Sequence, residues 1–344
     1  MPQVDVECGG MIAKTSLEQN LWDTAYVAIG HGPRAKALVV YDTDSILSSR
    51  LLNGYREALP EAQFMDFNAV TPGDVRGAIE ALKEGDLVVM VQSGSFRLNE
   101  FRFRLELFSR HLAVIEHPHL GRIPENQHEI YIDALAYDKS YYRTLGPKLK
   151  KTIDTATHIE VACQGTTLTY DAPFESAKLN IGDYAGMKNI GGQFPIGEVF
   201  TEAADLGKVN GQVKLFAFGD ASFKVIVPEK PITITIEKGL IVDAVDVPPA
   251  FQAVLDQIKI DEPLWVRELG FGMNRALTRT RVLDDIGSYE RMCGVHLSLG
   301  QKHTIYGKPG FPKRTSRYHV DVFVDVETVK VDGQAIYQHG AYCL

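Results

Sequence analysis

The stretch Ala37-Leu38-Val39-Val40-Tyr41-Asp42 is a short apolar run that ends in an acidic turn, and it decides the fold class of the N-terminal half. Strands that are apolar on both faces are typical of a parallel sheet covered by helices. A helically spaced segment, Ser45 to Leu59, follows this run, and Asp86-Leu87-Val88-Val89-Met90-Val91-Gln92 is a further strand of the same kind. Strands alternating with helices predict a parallel, doubly wound α/β domain, which we expect at residues 1–150.

The pattern changes after a helix that we predict between Asp138 and Asp154. His158-Ile159-Glu160-Val161-Ala162-Cys163 and Ile232-Thr233-Ile234-Thr235-Ile236 show the alternation of half-buried strands, and turns rich in Gly separate such runs. The second half, residues 151–344, is therefore predicted to be a mixed, strand-rich α+β domain.

Composition and charge limit the classes of partner. The chain has 344 residues and a net charge of −8, with a pI near 5.7, which argues against binding to nucleic acid or to an anionic membrane. No apolar run approaches the roughly 20 residues that span a bilayer, and the first residues lack the pattern of a signal peptide. Four scattered cysteines without a CxxC pair predict reduced thiols. We expect a cytoplasmic protein.

The N-terminal half offers neither a nucleotide site nor a convincing metal site. Gly30-His31-Gly32-Pro33 precedes a strand but lacks the spacing of a phosphate-binding loop. The segment after Ile115 carries His117, His119 and His128, but no Cys or Asp at ligand spacing completes a site. We predict that these histidines make polar contacts at the surface or between domains.

The candidate site lies in the C-terminal half. In Tyr318-His319-Val320-Asp321-Val322-Phe323, strand alternation puts His319 and Asp321 on one face, where they form half of a metal site. His296 stands on a second apolar run, and Glu198 and Glu268 each stand among apolar and glycine residues. Isolated buried acids are costly unless they are paired, protonated or bound to a cation. One such residue fits an ordinary core, whereas five together favour a metal site.

Several short motifs in one order carry a family resemblance between residues 158 and 325. They are Gly165-Thr166 with Leu168, Pro195-Ile196-Gly197-Glu198-Val199-Phe200-Thr201, Glu268-Leu269-Gly270-Phe271-Gly272-Met273-Asn274, His296-Leu297-Ser298-Leu299-Gly300 and His319-Val320-Asp321. In this order the chain resembles the thermophilic-type metallo-aminopeptidases, the group of aminopeptidase T, aminopeptidase S and PepS.

The resemblance implies a two-metal site in the C-terminal domain, in a cleft facing the N-terminal domain, commonly in a homodimer. The implied metal ligands are Glu198, Glu268, His296, His319 and Asp321. Oxygen and imidazole ligands without Cys suit two divalent ions of zinc, cobalt or manganese. Such ions activate water and polarise the carbonyl of an amide or peptide bond.

Other residues are candidates for catalytic roles. Glu198 or Glu202 is the candidate proton shuttle, with neither assigned. His303 and Tyr306 stand near the place where the family often has a Tyr beside the metals, so either is a candidate contact for substrate or oxyanion. Arg267 and Arg275 flank Glu268, and each is expected to bind a substrate carboxylate or to pair with Glu268.

Two other classes of function stay open. The chain also resembles the 2,5-dihydroxypyridine dioxygenases, which hold one non-haem iron(II) with two His and one carboxylate. In that group a His stands at the position of Glu268, so Glu268 and His296 together favour the hydrolase. The third class is a metal-free protein that binds a small molecule in the cleft. The substrate is expected to be a small molecule or a peptide.

Overall fold

The computed structural model describes residues 15–98, 101–301 and 318–344, and the chain divides into two compact units. The parallel-sheet unit comprises Ala13–Arg143 with Ile181–Ile196, and the antiparallel-sheet unit includes Thr144–Asn180 and Gly197–Leu344. The sequence-based domain boundary at residue 150 lies within the helix Lys139–Asp154. In the structure, the chain passes from the parallel-sheet unit to the antiparallel-sheet unit after Arg143.

The elements follow one another in chain order. The helices are α1 (Leu17–Trp22), α2 (Ile46–Ala58), α3 (Pro72–Glu80), α4 (Phe103–Ser109), α5 (His128–Ala134), α6 (Lys139–Asp154), α7 (Pro249–Asp261) and α8 (Ile286–Tyr289). A π-helical segment, Asp23–Ile29, continues α1, and 3-10 turns occupy Leu120–Arg122, Glu125–Gln127 and Leu206–Lys208. The strands are β1 (Ala37–Tyr41), β2 (Gln63–Asp66), β3 (Leu87–Val91), β4 (Arg97–Leu98), β5 (Phe101–Arg102), β6 (Ala113–His117), β7 (Ile159–Cys163), β8 (Thr166–Tyr170), β9 (Lys178–Asn180), β10 (Ile190–Gln193), β11 (Glu198–Glu202), β12 (Val209–Gly219), β13 (Val225–Ile226), β14 (Ile232–Glu237), β15 (Leu240–Val245), β16 (Val266–Gly272), β17 (Gly294–Gly300), β18 (His319–Val324), β19 (Val326–Val331), β20 (Gln334–Gln338) and β21 (Ala341–Tyr342).

The parallel-sheet unit has a five-stranded sheet in the order β10-β6-β3-β1-β2, and its pairs are all parallel. The chain adds β2 on one side of β1 and β3 on the other, which is the doubly wound arrangement. All five residues of β3 are buried, as the unbroken apolar run predicts. The predicted α/β class is confirmed.

Local sequence explains how α2 covers this sheet. The Ser45 side chain accepts from the Ser48 backbone, and the reciprocal bond completes a capping box at the N-terminus. Leu47, Leu51 and Tyr55 recur at helical spacing and are fully buried. Each such side chain contributes about 1.5–3 kcal/mol by leaving water.

The fifth strand of this sheet comes from the glycine-rich segment that the sequence assigned to the C-terminal domain. Ile190–Gln193 pairs in parallel with β6, so this part of the segment is a strand of the parallel-sheet unit. At Gly191, which has φ +94°, an added Cβ would lie 1.9 Å from the Val114 carbonyl oxygen. Only glycine permits this close approach of the two backbones.

The antiparallel-sheet unit has a 14-stranded sheet, along which the main order is β21-β20-β19-β7-β8-β12-β18-β17-β16-β11-β9. The strands β13, β14 and β15 branch from it beside β12. Helices α7 and α8 join strands of this sheet, so the predicted strand-rich α+β class is confirmed. No helix among the described residues is long and apolar enough to cross a membrane.

His117 is buried in the parallel-sheet unit, so its predicted position at the surface or between domains is wrong. Its Nε2 lies 2.7 Å from the Tyr55 hydroxyl, and its Nδ1 lies 2.9 Å from the Tyr131 hydroxyl. The Tyr131 hydroxyl in turn donates to the Phe194 carbonyl at 3.3 Å. A neutral imidazole fits this chain of bonds, because burial lowers the pKa of His117 to about 3.

The cysteines differ in state. Cys163 is buried and Cys343 is exposed, and both are free thiols. Cys293 is disulfide-bonded, so the prediction of reduced thiols is wrong for this residue.

We predict that His117 makes the protein sensitive to acid. The pKa of His117 is lowered in the folded state. Below its ordinary pKa near 6.5, the unfolded chain therefore binds a proton at this residue and the folded protein does not. Stability should therefore fall by up to about 1.4 kcal/mol per pH unit as the pH drops from about 6.5 towards 3. Urea unfolding at several pH values measures this slope. The slope should be shallower in His117→Gln, and equal slopes in wild type and His117→Gln would refute the prediction.

Candidate metal centre

Four neighbouring strands, β11, β16, β17 and β18, bring the predicted ligands to one face of the antiparallel sheet. Residues that pair directly across antiparallel strands share a face. The cross-strand pairs that define this face are Glu198 with Gly272, Glu202 with Glu268, Gly270 with His296, and Ser298 with Asp321. His319 joins them because it stands two residues before Asp321 on β18.

Glu198, Glu268 and His296 form a compact buried cluster. Each offers one ligand atom, and these atoms all lie within 4.8 Å of one another. The His296 Nε2 atom lies 3.3 Å from Glu198 Oε1 and 3.5 Å from Glu268 Oε1. The three residues are between 1% and 7% exposed, so water does not compensate their charges.

His319 and Asp321 form a second group on β18. The His319 Nε2 atom lies 3.2 Å from Asp321 Oδ1. The other ring nitrogen, Nδ1, donates to the Gln301 carbonyl oxygen at 2.9 Å, which turns Nε2 towards the acid. A backbone acceptor at the far nitrogen is the usual way in which proteins orient a metal-binding imidazole.

The backbone of β16 bends at Glu268. Between the pairs Val266–Leu299 and Leu269–Leu297, β16 has one more residue than β17, which defines a β-bulge. The Glu268 N–H donates to the side-chain oxygen of Ser298 at 3.1 Å. Glu268 lies two residues before Gly270, so its side chain is on the face that carries His296, and the Ser298 bond holds its backbone at the bulge.

Gly270 makes room for the His296 ring. A Cβ added at Gly270 would lie 2.0 Å from His296 Cε1 and 2.1 Å from Nε2. Every other residue type would displace the imidazole or the strand. The glycine of the Glu268-Leu269-Gly270 motif thus has a steric role beside the candidate ligands.

The charges of the site change the proton affinity of its members. Desolvation acts against the protonated ring, but the Glu198 and Glu268 carboxylates raise the pKa of His296 to about 10. Desolvation also acts against protonation of the His319 ring, but Asp321 outweighs this effect and raises the pKa of His319 to about 10. Burial would raise the pKa of Asp321, but neighbouring cations hold it below its usual range. Without a metal ion, the two imidazoles are the counter-ions of the acids.

The sequence analysis missed Arg291, a buried cation behind the cluster. Its Nε atom lies 3.7 Å from Glu198 Oε2, and one terminal nitrogen donates to the Gly287 carbonyl oxygen at 3.1 Å. Burial favours the neutral form of Glu198, but Arg291 and His296 together lower its pKa. No periodic pattern marks Arg291, because it stands in the turn between α8 and β17.

Arg267 does not pair with Glu268. It is 1% exposed, and its guanidinium contacts Glu262 at 2.7 Å and donates to the Gly300 carbonyl oxygen at 2.7 Å. Its expected role at a substrate carboxylate is therefore unsupported. Arg275 is half-buried, and its role stays a prediction.

The remaining catalytic candidates divide into two groups. Glu202 is buried and lies directly across from Glu268. His303 and Tyr306 lie outside the described residues.

The donor set fits a divalent cation. Among the described residues, His296 Nε2 and Asp321 Oδ1 are buried without a hydrogen-bond partner, although carboxylates and imidazoles stand near them. Buried polar atoms are rarely left in this state. An ion held by imidazole nitrogen and carboxylate oxygen would satisfy both atoms, and zinc, cobalt and manganese accept such ligands.

We predict that Gly270→Ala disrupts the centre. The new methyl group overlaps the His296 ring, so overpacking should cost about 1–3 kcal/mol of stability. Zinc binding, measured by competition with a chromophoric chelator, should weaken at least about tenfold because the ring moves. Gly77→Ala in α3 is the control, since nothing lies within 4 Å of its Cβ position. Wild-type zinc affinity in Gly270→Ala would contradict the steric role.

We also predict that the metal-free protein loses stability in alkali. The folded-state pKa of His296 lies near 10 and above its ordinary value near 6.5, so its contribution is complete below about 6.5 and is lost as pH rises towards 10. Thermal denaturation in a chelator measures this slope between pH 6.5 and 10. The slope should be smaller in His296→Asn and unchanged in His117→Asn, whose imidazole is neutral throughout this range. Identical slopes in wild type and His296→Asn would contradict this prediction.

Comparisons with known proteins identify a similar fold. No protein-family model matches the chain, and no curated protein matches it. Among solved structures, the chain is similar to wild-type AmpT from Thermus thermophilus, with a TM-score of 0.60 and 14% sequence identity. The likeness covers 95% of this chain and 99% of that chain, so the two share a fold over nearly their whole length.

Proposed function

We propose that the protein is a metal-dependent hydrolase that uses two divalent ions to cleave an amide or peptide bond. One observation carries the proposal: Glu198, Glu268 and His296 converge, buried, around an imidazole nitrogen that has no hydrogen-bond partner among the described residues. Such a cluster is unfavourable as a mere core feature, because three polar groups leave water without full compensation.

Glu268 supports a two-ion site because it interacts with a member of each of the two groups of ligands. Its Oε1 is 3.5 Å from His296 Nε2, and its charge also helps to raise the pKa of His319. Two-ion sites hold their metals about 3.5–4 Å apart and need ligands on both sides of a shared space. In this proposal Glu198, Glu268, His296, His319 and Asp321 would hold the two ions.

Bound divalent ions would lower the pKa of water and polarise a carbonyl group. The chain's own groups divide the other tasks. Arg291 keeps Glu198 ionised, as a ligand requires. Glu202 is buried opposite Glu268 and is the candidate that accepts the proton of the attacking water. The Gln301 carbonyl oxygen keeps the His319 ring turned towards Asp321.

The choice of an aminopeptidase-like reaction has two supports. The sequence motifs around Glu198, Glu268 and His296 resemble those of the aminopeptidase T group. The similarity of the fold to that of AmpT is the second support. We therefore propose a peptide, or a small molecule with an amide bond, as the substrate. Homodimer formation, the absence of nucleic-acid and membrane partners and a cytoplasmic location stay predictions from the sequence.

The iron dioxygenase remains the alternative because His296, His319 and Asp321 supply two imidazoles and one carboxylate on one sheet face. The number and kind of bound metal separate the two functions. One iron with oxygen uptake supports the dioxygenase, and a protein that binds a small molecule without any metal supports the third class.

We predict that elemental analysis of the purified protein finds two zinc, cobalt or manganese ions per chain. Glu268→Gln should lose at least one ion and about 10²-fold or more in hydrolysis of aminoacyl-p-nitroanilides, because the charge of one ligand is gone. Glu237→Gln, at an exposed glutamate of the same unit, is the control and should keep wild-type metal content and wild-type hydrolysis.

Two results would refute this function. Wild-type metal content and hydrolysis in Glu268→Gln would remove Glu268 from the site. Full binding of two ions without hydrolysis of any amide or peptide would leave the metal centre intact and reject the reaction.

A further inference from the structure

We propose that Ser298 is a positioning residue for Glu268: its hydroxyl replaces a ladder acceptor at the β16 bulge and thereby holds the backbone that carries the Glu268 carboxylate. The inference rests on the proposed function for its consequence at the metals. Its structural part, the bond between the Ser298 hydroxyl and the Glu268 backbone, is tested separately.

The bulge leaves a backbone donor that a regular ladder would have satisfied. Arg267 and Glu268 together oppose Ser298, because the pairs on either side are Val266–Leu299 and Leu269–Leu297. The Glu268 N–H finds the Ser298 Oγ atom at 3.1 Å. A buried N–H without an acceptor is unfavourable, so this side chain stabilises the irregular backbone.

Arg267 and Glu268 extend in different directions at the bulge. The Arg267 guanidinium extends to Glu262 and the Gly300 carbonyl oxygen, whereas the Glu268 carboxylate meets His296 on the site face. The pairs Leu269–Leu297 and Gly270–His296 already place Glu268 on this face, so the bulge changes the register of the residues before it. The Ser298 contact therefore fixes the backbone position of Glu268, from which its side chain reaches the site.

The burial of Ser298 and its position on β17 suit this role. It is 1% exposed, it stands two residues after His296 on β17, and it pairs with Asp321 on β18. Alanine would fit but would offer no acceptor to the Glu268 N–H.

The first test measures zinc affinity by competition with a chromophoric chelator. Ser298→Ala should bind zinc about 10–100-fold more weakly, as is usual when a residue that orients a ligand is removed. Ser298→Thr keeps the hydroxyl and should restore affinity to within about threefold of wild type. Ser48→Ala, which removes an equally buried serine hydroxyl from the parallel-sheet unit, should bind zinc as wild type does.

The second test uses metal-free protein and measures amide hydrogen exchange at Glu268 by mass spectrometry. Exchange should be faster in Ser298→Ala than in wild type, and Ser298→Thr should restore the slow exchange, because the bond is made to the hydroxyl. A general loss of stability would instead speed exchange along the whole of β16 and β17. If Ser298→Ala fails to fold, Ser298→Cys, whose sulfur is a weak acceptor, should give an intermediate result.

Wild-type zinc affinity together with wild-type exchange at Glu268 in Ser298→Ala would overturn the proposal. So would a failure of Ser298→Thr to restore either quantity. If the wild-type protein binds neither zinc, cobalt nor manganese, the proposed function fails, and the exchange measurement alone decides whether Ser298 holds the Glu268 backbone.

Discussion

The structure depends on one electrostatic constraint: three carboxylates and two imidazoles share one face of a sheet, largely shielded from water. Glu198, Glu268 and Asp321 are each no more than 7% exposed, so their charges need partners within the protein. In the metal-free state, protons on His296 and His319 and the guanidinium of Arg291 supply them. A metal centre would replace the two protons with cations.

The sheet meets this constraint through the register of its strands. Direct pairing of Glu202 with Glu268, of Gly270 with His296 and of Ser298 with Asp321 aligns four strands, so that residues far apart in sequence meet on one face. Two local departures from regular geometry complete the arrangement. Gly270 leaves space for an imidazole, and Ser298 accepts the backbone N–H of Glu268 at a bulge. Any side chain at position 270 would overlap the His296 ring.

Sequence reasoning reaches the features that short-range patterns encode. Alternation alone puts His319 and Asp321 on one face, and the unbroken apolar run before Gln92 predicts a buried parallel strand. Features that depend on contacts across the fold are beyond it. Arg291 carries no pattern of its own, and nothing local reveals that Ser298 bonds to a backbone 30 residues away. His117 was assigned a polar contact at the surface or between domains, yet Tyr55 and Tyr131 bury it. The sequence of Ile190–Gln193 does not predict a strand, because its glycines, which permit close pairing with β6, are also typical of turns.

The central claim is that these ligands hold two metal ions around Glu268. The most direct test is anomalous X-ray scattering from crystals grown with zinc or cobalt. The account predicts two peaks about 3.5–4 Å apart, with Glu268 contacting both, Glu198 and His296 on one side, and His319 and Asp321 on the other. A single peak, or no peak within ligand distance of Glu268, would contradict it.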